Sequence, residues 1–313
     1  MARDRKTSHH QPEGLELSTP WRLSGGSDGY LGYFLADWVD WPADERGQKV
    51  SIILKQCLTQ GLAYWHHRDI SGVGDWAGMM QEAMGRDAAD IAEQFQEIGD
   101  WVRDNRELKG CLGAFVDVLA DQSPREGFSD WEALAAKLSD IFGAGISLIR
   151  ASGLAAWRIS DEAMLEIGIV ELLTDALLGL KSHGHWVARC YIPQSLASRA
   201  GLSLGLLEQV IQIENQKKGQ VKCRSCLDSV GLDVMAQKTR GVIRCLAGHG
   251  QKLLTGAMAD GGKGDGSWFY RPARNLLTLR AIGYDVLKAE NRTSRWRDLK
   301  LKLSLWRQFG REK

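Results

Sequence analysis

Arg189-Cys190-Tyr191-Ile192-Pro193, followed by Ala200-Gly201-Leu202, is the stretch on which the fold turns. It stands shortly after an apolar run, Leu172 to Leu180, that suits a helix buried on nearly every face. Proline lacks the amide proton that a continuing helix needs, and it pushes the residue before it out of helical geometry. One helix must therefore end at or before Ile192, and a new element must begin at Pro193. The chain leaves a central helix, passes through a short basic segment and starts again.

Outward from this point the pattern is helical. Val50, Ile53 and Leu54 with Leu58 and Leu62 recur at helical spacing, as do Leu112, Phe115, Val116 and Leu119, and again Leu134, Leu138, Ile141 and Phe142. Ser129-Asp130-Trp131-Glu132 offers a cap with a glutamate three residues on, a helix start. Pro124 and Gly127 punctuate the loop before it, and Met164 to Leu180 forms the central helix. Residues 214–240 are polar, and the Gly-rich stretch from Asp260 to Gly266 reads as an exposed connection. The chain closes with a basic, Trp-containing helix from Arg295 to Phe309. Only 6 Pro are present, and strand-like alternation is scarce, which favours helix over sheet. No internal repeat is visible. The expected organisation is a flexible tail over 1–20 and one helical domain over 21–313.

Composition narrows the function classes. Lys and Arg total 40 against 39 Asp and Glu, a net charge of +1, so no nucleic-acid partner is implied. Hydrophobic content of 44% with 25% charged residues is ordinary for a soluble globular chain. No run of 18 apolar residues could span a bilayer. The first twenty residues are polar and lack the apolar core of a secretory signal. Six Cys without such a signal read as reduced thiols. A cytoplasmic protein is the expectation.

The Arg189–Pro193 stretch and the Gly201-Leu202 that follows it resemble the second signature of the squalene/phytoene synthase family, R-x-Y-[LI]-P then G-L. Tyr33-Phe34-Leu35-Ala36-Asp37-Trp38-Val39-Asp40 is similar to the family's first aspartate-rich motif, D-D-x-x-D, with Ala36 in place of the first aspartate. The segment from Asp117 to Ile149 resembles the helix–loop–helix between the two motifs. Gly283-Tyr284-Asp285-Val286-Leu287, with Arg295 and Trp296, is like the closing segment. Two departures stand out. The second motif's paired carboxylates match Gly179 and His183, and the arginine expected near Tyr33 is absent. Both resemble a degenerate branch of the family, which includes the mitochondrial complex I assembly factor.

The resemblance implies an all-α, single-domain, isoprenoid-synthase-like helical bundle around a central cavity. It implies Mg²⁺ held by Asp37 and Asp40, three apart on one helical face, because a diphosphate needs divalent ions bridging it to carboxylates. Arg189 would grip an isoprenyl diphosphate or another lipid-like ligand, Tyr191 would border the cavity, and His183 would stand near the substrate. Two functions are implied. One is a divergent prenyltransferase of isoprenoid biosynthesis. The other is a catalytically inactive member that acts as an assembly or membrane-associated binding protein.

Other motifs have plainer readings. Cys223 and Cys226 with Cys245 and His249 have zinc-like spacing, but the last two fall in a late helix, and thiols without a shared metal are favoured. His183 and His185 read as a polar helix exit, and Asp117 with Asp121 as exposed acids. Twelve Trp, among them Trp38, Trp41, Trp65, Trp76 and Trp101, could line a pocket, though core packing explains most of them. In the last helix Arg297, Lys300 and Arg307 accompany Trp296, Leu303 and Trp306, the pattern of peripheral contact with an anionic membrane or of charges snorkelling over the domain.

Overall fold

The computed structural model describes residues 34–66, 76–85, 93–103, 105–121, 127–180, 186–217, 229–260 and 266–287, with 300 and 303. The tail 1–20, Tyr33, His183, His185, Cys223, Cys226 and most of the basic last helix lie outside the described residues; Lys300 and Leu303 are helical and exposed.

The elements run α1 (Phe34–Asp37), α2 (Glu45–His66), α3 (Trp76–Met84), α4 (Glu93–Arg103), α5 (Arg106–Ala120), α6 (Trp131–Ala151), α7 (Asp161–Leu178), α8 (Trp186–Tyr191), α9 (Gln194–Arg199), α10 (Leu204–Lys217) and α11 (Ser229–Asp260), then a 3₁₀ turn (Gly266–Phe269) and α12 (Tyr270–Ala281). The all-α class read from the sequence is what the structure shows among the described residues. The sole extended pairing there is one antiparallel bridge between Val39 and Ala155. No described helix is long and apolar enough to cross a membrane.

Side-chain caps start three of the helices. Asn105 accepts from the Leu108 amide at 3.0 Å, Asp130 from Ala133 at 2.8 Å and Ser160 from Ala163 at 3.1 Å, each relieving an amide with no partner inside its helix. The cap of α6 falls one residue later than the sequence suggested. Asp130 takes the role because its carboxylate is the stronger acceptor, and the Ser129 hydroxyl donates to that carboxylate at 2.9 Å.

Helix α7 is the axis of the molecule. It packs against α6, α8, α11 and α12, and it buries residues around its whole circumference, Met164, Ile167, Val170, Leu173 and Leu177 among them. That all-round burial answers to its apolar sequence. The core is one continuous apolar cluster running from Leu35 through Phe115 and Phe142 to Leu279.

Two irregular segments fix the placement of Asp37 and of Arg189. Helix α1 stops at Asp37 because Val39 is drawn into its bridge with Ala155, fixed by the Asp40 amide on the Leu154 carbonyl at 2.7 Å and the Ala156 amide on the Trp38 carbonyl at 3.1 Å. This pins the α1 turn to the α6–α7 loop. Farther on, α8 ends at Tyr191 and Pro193 opens α9, as the proline required. The Gln194 and Ser195 amides donate to the Phe128 and Ser129 carbonyls at 2.8 Å each, clasping this turn to the loop before α6. Gly127, at φ +82°, lies so close to the Arg189 carbonyl that a Cβ there would come within 2.7 Å of its oxygen. A larger residue would meet both an unfavourable backbone conformation and a clash.

Candidate functional site

Asp37 ends α1 with its side chain largely in solvent and faces two acids that α7 brings from inside the core. Glu171 and Asp175 lie one turn apart and share a face of α7. A buried carboxylate needs a partner, and α12 supplies it from the same register: Arg271 and Asn275 are also one turn apart. The Arg271 guanidinium is the hub. Its Nε donates to Glu171 Oε1 at 2.8 Å and its Nη2 to Asp175 Oδ2 at 3.0 Å. Its Nη1 faces Asp37 Oδ2 at 3.7 Å, an ion pair rather than a hydrogen bond. The Asn275 amide donates to the other oxygen of Asp175. Three nitrogens of one guanidinium thus address three carboxylates from two helices.

The electrostatics reflect burial. The Glu171 side chain is 5% exposed. Burial pushes its carboxyl up to about 8, Arg271 opposes this, and Asp175 and Asp37 add to it. One cation does not neutralise three acids, and the deepest acid holds its proton. Burial works against charge on Arg271 too, but the carboxylates around it outweigh that, and its pKa lies above the ordinary value. Lys55 of α2 is lowered by burial and drawn back by Asp37 and Asp40; its ammonium lies 5.1 Å from the Trp41 ring centroid.

Beneath this charged centre the space is filled by rings. Trp38, buried, packs against Phe142 at 5.8 Å between centroids and edge-on to Trp157 at 6.1 Å. It also presses on Gly168, one turn before Glu171, where a Cβ would lie 2.6 Å from the indole. Trp65 and Trp76 are likewise buried. Around Trp38 the interior next to α7 is packed side chain.

The residues singled out from sequence are distributed differently from the expectation. Asp37 and Asp40 do not share a helical face, since α1 ends between them. The Asp40 carboxylate accepts from the Trp41 amide at 2.8 Å, and its carbonyl accepts from the Ser51 hydroxyl at 2.8 Å. Arg189 belongs to another cluster. It pairs with Glu208 of α10 through two bonds, Nε to Oε1 at 2.9 Å and Nη2 to Oε2 at 2.7 Å. Arg189 itself borders an open cleft of about 460 Å³, lined also by Gln194, Ala197, Ser198, Leu202, Leu204 and Gly205. Tyr191 is fully buried, its ring edge-on to Trp65 at 6.1 Å, and burial drives its hydroxyl well above the ordinary range. His183 lies outside the described residues. Cys245 is exposed on α11, and His249 stacks on Trp131 with centroids 4.6 Å apart.

Glu171, Asp175, Arg271 and Asn275 were not read from the sequence as functional. The available signal was the pair of acids four apart inside an apolar helix, since buried charge calls for a buried partner.

A Mg²⁺ site of the kind the fold implies does not fit these residues. Mg²⁺ demands near-octahedral oxygen ligation and gives up its water reluctantly, whereas the oxygens that would receive it are already engaged by Arg271. Among the described residues, no group of three or more His, Cys, Asp or Glu side chains is placed to hold a metal ion.

No family model matches the chain, and no curated protein does. A solved structure does: the crystal structure of a dehydrosqualene synthase in complex with ligand superposes with a TM-score of 0.51 at 12% identity, over 88% of this chain and 90% of that one. At that identity the shared property is the all-α, isoprenoid-synthase-like fold.

Proposed function

We propose that this chain uses an isoprenoid-synthase-like fold as a non-catalytic scaffold, an assembly or membrane-associated binding protein. One observation carries the reading: Arg271 bridges Asp37, Glu171 and Asp175. Ionising an allylic diphosphate requires divalent cations held between facing carboxylates, where they neutralise the leaving group. Here a side chain of the protein itself supplies the positive charge. A guanidinium seated on the Asp175 carboxylate by a charge-assisted hydrogen bond, and bonded to the buried Glu171 beside it, is not displaced cheaply. The Trp38 packing supports the same reading, because Phe142, Trp157 and Gly168 close around the buried indole beside Asp37.

The second reading, a divergent Mg²⁺-dependent prenyltransferase, keeps one observation in its favour. Acids on α1 and α7 do face one another, the two-sided arrangement that metal-bound diphosphates require. Pyrophosphate release from farnesyl and geranylgeranyl diphosphate, with and without Mg²⁺, separates the two. The scaffold reading expects no release above that of an Asp37→Ala, Asp175→Ala double variant. Mg²⁺-dependent turnover that collapses in this variant would overturn it.

A further inference from the structure

We propose that the outer face of α11 and α12 is a basic docking surface on which the protein lies against an anionic membrane. The inference deepens the scaffold reading and rests on it, by naming the partner as a lipid surface with acidic headgroups.

The charge of the chain is segregated. The net charge of +1 hides two opposite parts: residues 234–313 hold 17 Lys and Arg against 6 Asp and Glu, whereas residues 1–233 hold 23 against 33. Such asymmetry points to a polyanionic partner for the basic part, which the overall balance conceals. The fold turns it into a surface. Helix α11 has no acid between Val234 and Ala259, and α12 has none along its whole length. Both helices pack on α7 and on each other, and a Cβ at Gly250 of α11 would touch Leu276 of α12 and Val170 of α7. Their solvent sides therefore form one face directed away from the core. Arg244 and Lys252 of α11 and Arg274 and Arg280 of α12 are exposed on it. Among the described residues, Arg244, Lys252 and Arg280 form no ion pair. The exposed sides of α4 and α5, by contrast, mix Glu97, Asp100, Glu107 and Asp117 with their cations.

The apolar side chains on this face decide the kind of partner. Leu277 stands exposed between Arg274 and Arg280, and Val234 is exposed at the start of α11. A lipid interface takes both features: its acidic headgroups meet the cations, and aliphatic side chains enter the acyl boundary. The phosphates of a nucleic acid would meet the charges alone. The contact is peripheral, since no described helix is long and apolar enough to cross a membrane. Asp285, tied to Arg240 of α11 at 3.0 Å, leads from this face into the basic residues 288–313.

The test is flotation of the full-length protein with vesicles of phosphatidylcholine alone, and of equal parts phosphatidylcholine and phosphatidylglycerol, in low and high NaCl. Binding to the anionic vesicles should be roughly tenfold stronger or more, and high salt should abolish it by screening. Lys252→Glu, Arg280→Glu should weaken it roughly tenfold or more, and Leu277→Ser roughly threefold. Lys109→Glu, which reverses an exposed cation of α5, should change it by less than about twofold. Circular dichroism verifies that each variant is folded. Where the double reversal does not fold, Lys252→Gln, Arg280→Gln gives the same decision at roughly fivefold. Equal binding to both vesicles, binding to neither, or indifference to the double reversal overturns the proposal. So does capture of duplex DNA in preference to anionic vesicles, or self-association that the double reversal abolishes without any vesicle binding. Pyrophosphate release by the wild type would instead sink the scaffold reading, whatever the vesicles show.

Discussion

Gly168→Ala probes whether the space beneath the charged centre is filled. A Cβ at this position would come 2.6 Å from the outer edge of the Trp38 indole and 2.7 Å from Phe142 Cδ1, where ordinary carbon contacts are about 3.5–4.0 Å. Neither ring has room to yield, since Trp38 is wedged between Phe142 and Trp157. Overpacking of this kind costs about 1–3 kcal/mol, and the better helix propensity of alanine returns up to about 1 kcal/mol. A net loss of about 1–2 kcal/mol is expected, the upper part of the range, because two rings are met at once. In a Trp38→Leu background the clash is gone and the propensity gain remains, so the same change should stabilise by about 0.5–1 kcal/mol. The double-mutant cycle should then show a coupling of about 2 kcal/mol. Urea denaturation followed by far-ultraviolet circular dichroism measures all four corners. Stabilisation of the wild-type background by Gly168→Ala, or simple additivity, would refute the reasoning and leave open space beside α7.

Three further outcomes are expected. Glu171, raised by burial from an ordinary 4.5 to about 8, holds a proton in the folded state that the unfolded chain releases. Its stabilising contribution is complete below the unfolded value and is lost as pH rises toward 8. Relative to Glu171→Gln, the wild type should therefore lose on the order of a few kcal/mol between pH 5 and 8.5, and parallel urea midpoints across that range would contradict this. Arg189→Ala should cost about 1–3 kcal/mol, nearer the lower figure because Arg189 is half exposed, since it strips the buried Glu208 of a two-bond partner; an unchanged thermal midpoint would instead fit an arginine kept for a ligand. Ser160→Ala removes the cap of the central helix and should cost about 1 kcal/mol, with Ser160→Asp near neutral, again by thermal midpoint.

The sequence disclosed the fold better than the centre. Helical spacing, scarce proline and the break at Pro193 led to an all-α chain, and the uniformly apolar stretch from Met164 marked α7 as the axis. Those signals are local, and local periodicity survives into the structure. The centre depends on register between elements far apart in the chain. Asp37 and Asp40 looked like a helical pair, but a bridge to Ala155, more than a hundred residues away, ends the helix between them. Matching the second motif by its distance from Arg189 led to Gly179 and His183, whereas the acids of α7 stand one and two turns earlier than Gly179, at Asp175 and Glu171. Arg271 sits about a hundred residues from those acids, and nothing in its neighbours Tyr270 and Pro272 announces a buried partner. Arg189 looked like a phosphate ligand because the acid that satisfies it, Glu208, lies on another helix.

The clasp around Pro193 bears on what the stretch Arg189–Pro193 is for. Gly127, Phe128 and Ser129 hold the Arg189–Ser195 turn through backbone groups, Tyr191 is locked in the core, and Arg189 is tied to Glu208. Every part of the signature thus has a mechanical task that is independent of any reaction. Substitutions within Arg189–Pro193 should therefore be felt first as lost architecture. The stretch speaks for architecture, and any chemistry must be read from the acids and cations that face one another across α7 and α12.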